Sequence, residues 1–167
     1  LDNPMCEGIA LDGMRLICRS LETAVQRQAM PERSEMLLAS LMGAVAFQKG
    51  LGVVHSLAHP LSSLLDTHHG LANAVNLPYG MEFNREGFEE KFRRMGQALQ
   101  LKEDQDLILF LRELNAKTGI PQRLKDIAVK EEHIETLADL AFADFAHPNN
   151  PKPVSREDFK KLYQRAL

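Results

Sequence analysis

Ile9, Leu11, Leu16, Ile17, Leu21 and Val25 recur at mostly three- and four-residue intervals, the repeat of one apolar face of an α-helix. The interval returns at Phe88, Phe92, Met95 and Leu99, again at Leu107, Leu111 and Leu114, and again at Ile134, Leu137, Leu140 and Ala141. No stretch shows convincing period-2 alternation, and no repeat or low-complexity tract is present. The chain is expected to be all-α, with amphipathic helices packing into a bundle-like domain over residues 1–167.

Local signals place the helix ends. Asn3 and Pro4 offer an N-cap and first helical residue for a helix over 4–27. A second start falls at Pro31, with Glu32 and Glu35 behind it, and the nearly unbroken apolar run from Met36 to Phe47 ends at Lys49 and Gly50. That helix is apolar almost all round, so a central position is expected for it. Pro60, Gly70, Pro78 and Gly80 suggest that residues 51–84 form short helices joined by tight bends. Amphipathic helices follow at 86–100 and 103–117. Gly119 then supplies a stop and Pro121 a new start, with another helical stripe near 130–144. The three prolines of His147-Pro-Asn-Asn-Pro-Lys-Pro153 predict a helix-free link. From Ser155 a last helix opens on a capping box with Asp158 in place of the usual Glu.

Composition excludes several classes. At 167 residues, with 44% hydrophobic and 26% charged, the chain has enough apolar material for one substantial core. A formal charge of −3 with interleaved signs gives no basic surface for a phosphate backbone, so nucleic acid is not an expected partner. Cys6 and Cys18, if on one helix, stand roughly 18 Å apart along its axis, too far for a disulfide. No apolar run reaches the ~20 residues of a membrane span, and no basic segment leads into an apolar stretch at the N-terminus. A cytoplasmic protein without a membrane partner is expected. The first residue is Leu1 rather than Met, and the chain is read as a fragment of a longer polypeptide.

The histidines carry the chemistry. Four of the six lie between residues 55 and 69, in Gly52-Val-Val-His55-Ser-Leu-Ala-His59-Pro60 and Asp66-Thr-His68-His69-Gly70. On a helix His55 and His59 share one face, one turn apart. His55 and His69 would be separated by roughly 21 Å along a continuous helix, whereas ligand nitrogens about 2.1 Å from one metal ion lie within about 4 Å of each other. A shared metal therefore requires a bend, and Pro60 and the Asp66–His69 turn are the places for it. The bland alternative is that these are ordinary helix and loop residues. Ser56 stands where a zinc protease needs its general-base Glu, and there is no phosphate loop, Cys-x-x-Cys pair or nucleophile elbow.

The stretch from Ala46 through Gly50-Leu-Gly-Val-Val-His55-Ser-Leu-Ala-His59-Pro-Leu61, followed by Thr67-His-His69-Gly-Leu-Ala-Asn-Ala-Val-Asn-Leu-Pro-Tyr79, resembles the signature of iron-containing (group III) alcohol dehydrogenases. The likeness runs from Asn3-Pro-Met to the closing Asn150-Pro-Lys-Pro and its helix. It implies the helical C-terminal domain of a two-domain dehydrogenase whose N-terminal α/β nucleotide-binding domain is absent from this chain, the active site lying in the cleft between the two. It further implies one divalent metal, Fe(II) or alternatively Zn(II), held by an Asp-x-x-x-His pair upstream of this chain and by His55 and His69. His59 would lie beside metal and nicotinamide in a catalytic, proton-relay and cofactor-contacting role. Many members carry Gly where this chain has Ser62 or Ser63, which bears on the bend.

His68 is read as a neighbour of the site or surface, His133 and His147 as structural, Asp66 as either an orienting carboxylate or an exposed one. Phe47 is core or, as the family often has it, pocket lining. The complete enzyme would transfer a hydride between a primary alcohol or aldehyde and NAD or NADP, the metal acting as a Lewis acid. A homo-oligomer is expected, and this chain alone should be inactive. Two rivals are a non-catalytic helical interaction module and a related metal-dependent enzyme of the glycerol dehydrogenase or dehydroquinate synthase type.

Overall fold

The computed structural model describes residues 3–27, 29–102 and 105–167. Leu1 and positions 103 and 104, where a helix was expected to begin, lie outside the described residues. The helices are α1 (Pro4–Arg27), α2 (Met30–Ala46), α3 (Val53–Leu65), α4 (His69–Phe83), α5 (Glu89–Ala98), α6 (Leu107–Lys117), α7 (Ile134–Ala143) and α8 (Arg156–Ala166). Among the described residues there is no strand, so the all-α expectation holds. The described residues divide into two compact units: those up to Gly50 with Gly87–Phe110, and Leu51–Glu86 with Leu111–Leu167.

In the first unit α1 packs chiefly on α2 and less extensively on α5. Asn3 caps α1, its Oδ1 accepting from the Cys6 N–H at 3.2 Å, which satisfies one of the free donors at the helix start. Cys6 and Cys18 both lie on α1 as free thiols. Glu7, in the first turn, accepts from Lys49 (2.5 Å), Lys91 (3.2 Å) and Arg94 (3.1 Å). α2 departs from its expected central place. Only Ala39 on it is buried, while Leu37, Leu38, Leu41 and Val45 are exposed. Composition makes a helix apolar on all sides, but burial needs neighbours on all sides, and α2 has α1 chiefly on one. Phe47, in the 3-10 turn Phe47–Lys49 that follows, is likewise exposed rather than core.

The second unit holds the main core. Leu57 and Leu61 of α3, Val75 and Tyr79 of α4, Leu137 of α7 and Phe159 and Tyr163 of α8 are all buried, with Leu124 from a short 3-10 turn. Each large side chain fully withdrawn from water contributes roughly 1.5–3 kcal/mol. Tyr163 keeps its hydroxyl satisfied by donating to the Leu57 carbonyl at 2.8 Å, and burial pushes its phenol well above the usual range. The expected start at Pro121 gives only the 3-10 turn Leu124–Ile127. The link after α7 contains one further 3-10 turn, His147–Asn149, and no α-helix. α8 opens on the expected box: Ser155 Oγ accepts from the Asp158 N–H, and Asp158 Oδ2 accepts from the Ser155 N–H at 2.9 Å.

The prolines do not bend the chain where expected. Pro60 lies inside α3 and Pro78 inside α4, so residues 53–83 form two sustained helices. A proline inside a helix leaves the carbonyl four residues earlier without its N–H partner. For Pro78 that carbonyl is Ala74, and the Asn115 side chain donates to it at 2.8 Å. The reversal falls at Asp66–His68, within the Asp66–His69 turn, the other place expected for it. Asp66 takes a left-handed conformation (φ 53), and the Asp66 and Thr67 N–H groups both reach back to the Leu61 carbonyl, satisfying an acceptor at the end of the helix.

Candidate metal centre

The N-terminus of α3 is pinned from a distance. Asn150 Oδ1 accepts from the Val53 N–H at 3.1 Å and from Asn84 Nδ2 at 3.0 Å. Asn150 Nδ2 donates to Asn84 Oδ1 and to the Lys152 carbonyl, both at 2.7 Å. All four hydrogen-bonding capacities of this amide are thus used. A Cβ at Gly52 would come within 2.8 Å of Asn150 Oδ1, so the glycine admits the clamp. The Asn150-Pro-Lys-Pro segment is in this way tied to the helix that carries the histidines.

The helix face then sets the rings. His55 and His59 lie one turn apart on α3, and His69 is the first residue of α4. The ring centroids stand 5.7 Å apart for His55 and His59, 5.7 Å for His55 and His69, and 5.4 Å for His59 and His69. Imidazoles bound to a common ion at about 2.1 Å have centroids on the order of 5 Å apart, so the spacing suits a shared ion. Burial, reinforced by His59 and His69 and opposed by Asp144, holds the His55 imidazole below its ordinary pKa, which favours the neutral form that binds metal. Asn73 Nδ2 lies 3.1 Å from His69 Nε2 and donates to the His69 carbonyl at 3.0 Å.

Spatially, His59 differs from the other two. Its Nδ1 lies 2.7 Å from Asp144 Oδ2, and its ring lies near-parallel to those of His69 and Phe145, the latter centroid at 5.6 Å. Asp144 Oδ1 accepts from Ser56 Oγ at 2.7 Å and from the Ala146 N–H at 2.9 Å. Burial raises the Asp144 carboxyl, and the hydrogen bonds from Ser56, His59 and Ala146 outweigh it, so its pKa lies below the usual carboxylate value. Among the described residues no group of three or more His, Cys, Asp or Glu side chains is arranged to hold an ion by itself. The contact of His59 Nδ1 with Asp144 fits that result.

Other sequence candidates fall outside the cluster's contacts. Asp66 is exposed at the end of α3, and His68 is exposed at the cap of α4. His133 Nδ1 accepts from the Lys130 N–H, and His147 Nε2 lies 2.9 Å from the Phe142 carbonyl; both serve local structure. The residue that sequence reasoning missed is Asp144. It is 85 positions from His59, and its place between α7 and the link carries no motif of its own.

The chain is helical and gathers three imidazoles from two paired helices, His55 and His59 within α3 and His69 at the start of α4. Over residues 2–167 it matches the profile of the Fe-containing alcohol dehydrogenase family, C-terminal, and the chain belongs to that family. It is 33% identical to a 4-hydroxybutyrate dehydrogenase from Cupriavidus necator, over 99% of this chain and 46% of that protein. In structure it matches a 1,3-propanediol oxidoreductase with a TM-score of 0.94 and 31% identity, covering 99% of this chain and 46% of the other. An alcohol dehydrogenase from Oenococcus oeni matches with a TM-score of 0.93 and 30% identity, at 99% and 46% coverage. The chain spans just under half the length of these relatives. Among the described residues no single helix is long and apolar enough to cross a membrane.

Proposed function

We propose that this chain is the metal-carrying helical part of a dehydrogenase that moves a hydride between a primary alcohol, or its aldehyde, and NAD(P). The convergence of His55, His59 and His69 in a member of this family is the observation that carries the reading. His55 and His69 would hold the ion, Fe(II) or Zn(II), since imidazole nitrogen suits either. Bound there, the ion would supply Lewis acidity toward the substrate oxygen.

His59 has a different task. With Nδ1 directed at Asp144, its Nε2 would be the nitrogen left to take the substrate's hydroxyl proton. Exposed Phe145 beside it offers an apolar surface to the alcohol's carbon chain. Two imidazoles fall short of the three or four protein ligands a catalytic ion needs. The remaining ligands and the nucleotide contacts are therefore proposed to come from a nucleotide-binding half outside this sequence. The assembled enzyme is proposed to be a cytoplasmic homo-oligomer.

The test is to purify this segment and titrate it anaerobically with Fe(II) and Zn(II). NAD(P)-linked oxidation of short primary alcohols is then assayed beside a polypeptide that also carries the nucleotide-binding half. Turnover is expected from the longer polypeptide alone. Turnover by the segment would overturn the division of ligands, and none from either would overturn the dehydrogenase reading.

A further inference from the structure

We propose that Asp144 is a positioning residue that locks His59 in the tautomer protonated on Nδ1, so that Nε2 is left as a fixed proton acceptor. An ionised carboxylate only accepts hydrogen bonds, so the imidazole nitrogen 2.7 Å from Asp144 Oδ2 must be the one that carries the proton. The other ring nitrogen of a neutral imidazole then holds its lone pair.

Asp144 cannot readily turn away. Its Oδ1 is held by Ser56 Oγ at 2.7 Å and by the Ala146 N–H at 2.9 Å, which leaves Oδ2 directed at His59. The side chain is 10% exposed against 27% for His59, so the carboxylate is the shielded, fixed partner and the imidazole the accessible one. The rings of His69, at 5.4 Å, and Phe145, at 5.6 Å, lie beside the His59 ring at small interplanar angles. Phe145 is 72% exposed. A large aromatic left so open gains little from burial, and its stacking on His59 gives it a place beside the reacting groups.

A purely structural role, pinning the end of α7 to α3, predicts something different. Asp144→Asn would then cost stability and leave the His59 proton where it was. If Asp144 sets the tautomer, the isosteric amide inverts it. Ser56 and Ala146 are both donors and hold the amide oxygen, which turns the Asn NH2 toward Nδ1, makes that nitrogen an acceptor and moves the proton to Nε2.

The experiment has two arms. In this chain, labelled with 15N-histidine and held at pH 8, where free imidazole is neutral, the ring-nitrogen shifts of His59 are recorded for wild type, Asp144→Asn and Ser56→Ala. Wild type is expected to show protonated Nδ1 and bare Nε2, Ser56→Ala the same, and Asp144→Asn the reverse. A proton on Nε2 in wild type, or no change in Asp144→Asn, would overturn the proposal even if the variant were poorly folded, since the wild-type spectrum decides by itself.

The second arm rests on the dehydrogenase reading. In the polypeptide that supplies the nucleotide-binding half, Asp144→Asn should lower kcat by roughly 10–100-fold, the usual cost of losing an orienting partner. KM for alcohol and NAD(P) should stay within about twofold, as for a group acting on the transition state. An inverted tautomer with unchanged kcat would overturn the catalytic part. Absence of turnover in the wild type would count against the dehydrogenase reading, while the nitrogen shifts still decide the tautomer.

Discussion

Gly80 of α4 faces α3 so closely that a Cβ there would lie 2.6 Å from Val54 Cγ2 and 3.3 Å from Val53 Cγ1. Both neighbours are β-branched and stiff at χ1, so neither can give way cheaply. They immediately precede His55 on α3, and α4, which carries Gly80, opens on His69. Gly80→Ala should lower unfolding stability by about 1–3 kcal/mol, the range for overpacking, with metal affinity reduced as the rings separate. Urea denaturation and Zn(II) titration check the two effects. Unchanged stability would mean that the helices adjust freely.

The paired amides of Asn84 and Asn150 give a second prediction. Asn150→Ala removes the acceptor for the Val53 N–H and should cost about 1–3 kcal/mol, the penalty for stranding buried polar groups. A double-mutant cycle with Asn84→Ala should show a coupling of about 0.5–3 kcal/mol. Simple additivity would deny the reciprocal pair an energetic role.

Among the histidines, the proposed ligands and the proposed proton acceptor should separate. In the polypeptide with both halves, His55→Ala and His69→Ala are expected to lose metal and activity together. His59→Ala should retain most of the metal and lose turnover. Metal analysis beside kcat distinguishes them, and equal metal loss in all three would make His59 a ligand.

Acid should weaken the first unit through Glu7. Hydrogen bonds from Lys49 first and Lys91 next, against the opposing effect of burial, lower its carboxyl from 4.5 to about 2. A depressed folded-state pKa stabilises above the unfolded value, so this contribution is full above pH 4.5 and is lost as pH falls toward about 2. With solvent screening it amounts to about 1 kcal/mol. Urea midpoints at several acid pH values should fall more steeply for wild type than for Glu7→Gln. Parallel curves would assign the acid sensitivity to other groups.

Much of this was legible locally. The three-and-four spacing of apolar residues located the helices, and Asn3 and Ser155 marked two starts. The i,i+4 relation put His55 and His59 on one face. Pro60 and Pro78 misled because a proline can be accommodated inside a helix; at Pro78 the orphaned Ala74 carbonyl takes its donor from Asn115, 41 positions away. The α2 reading erred because apolar composition reports what a helix could bury, whereas its burial depends on which neighbours arrive. Asp144 gave no local sign, since its relation to His59 exists only after α7 packs on α3.

That long separation has a consequence for how the chain comes into being. His55, His59 and His69 lie within 15 positions of one another, on two helices complete by Phe83, while Asp144 emerges about sixty residues later. At roughly 5–20 residues per second, a nascent chain would expose the imidazole trio for about 3–12 s before the carboxylate that orients His59 has been synthesised. Through that interval the histidines could attract a divalent cation while the proton-handling side of the site is still unbuilt.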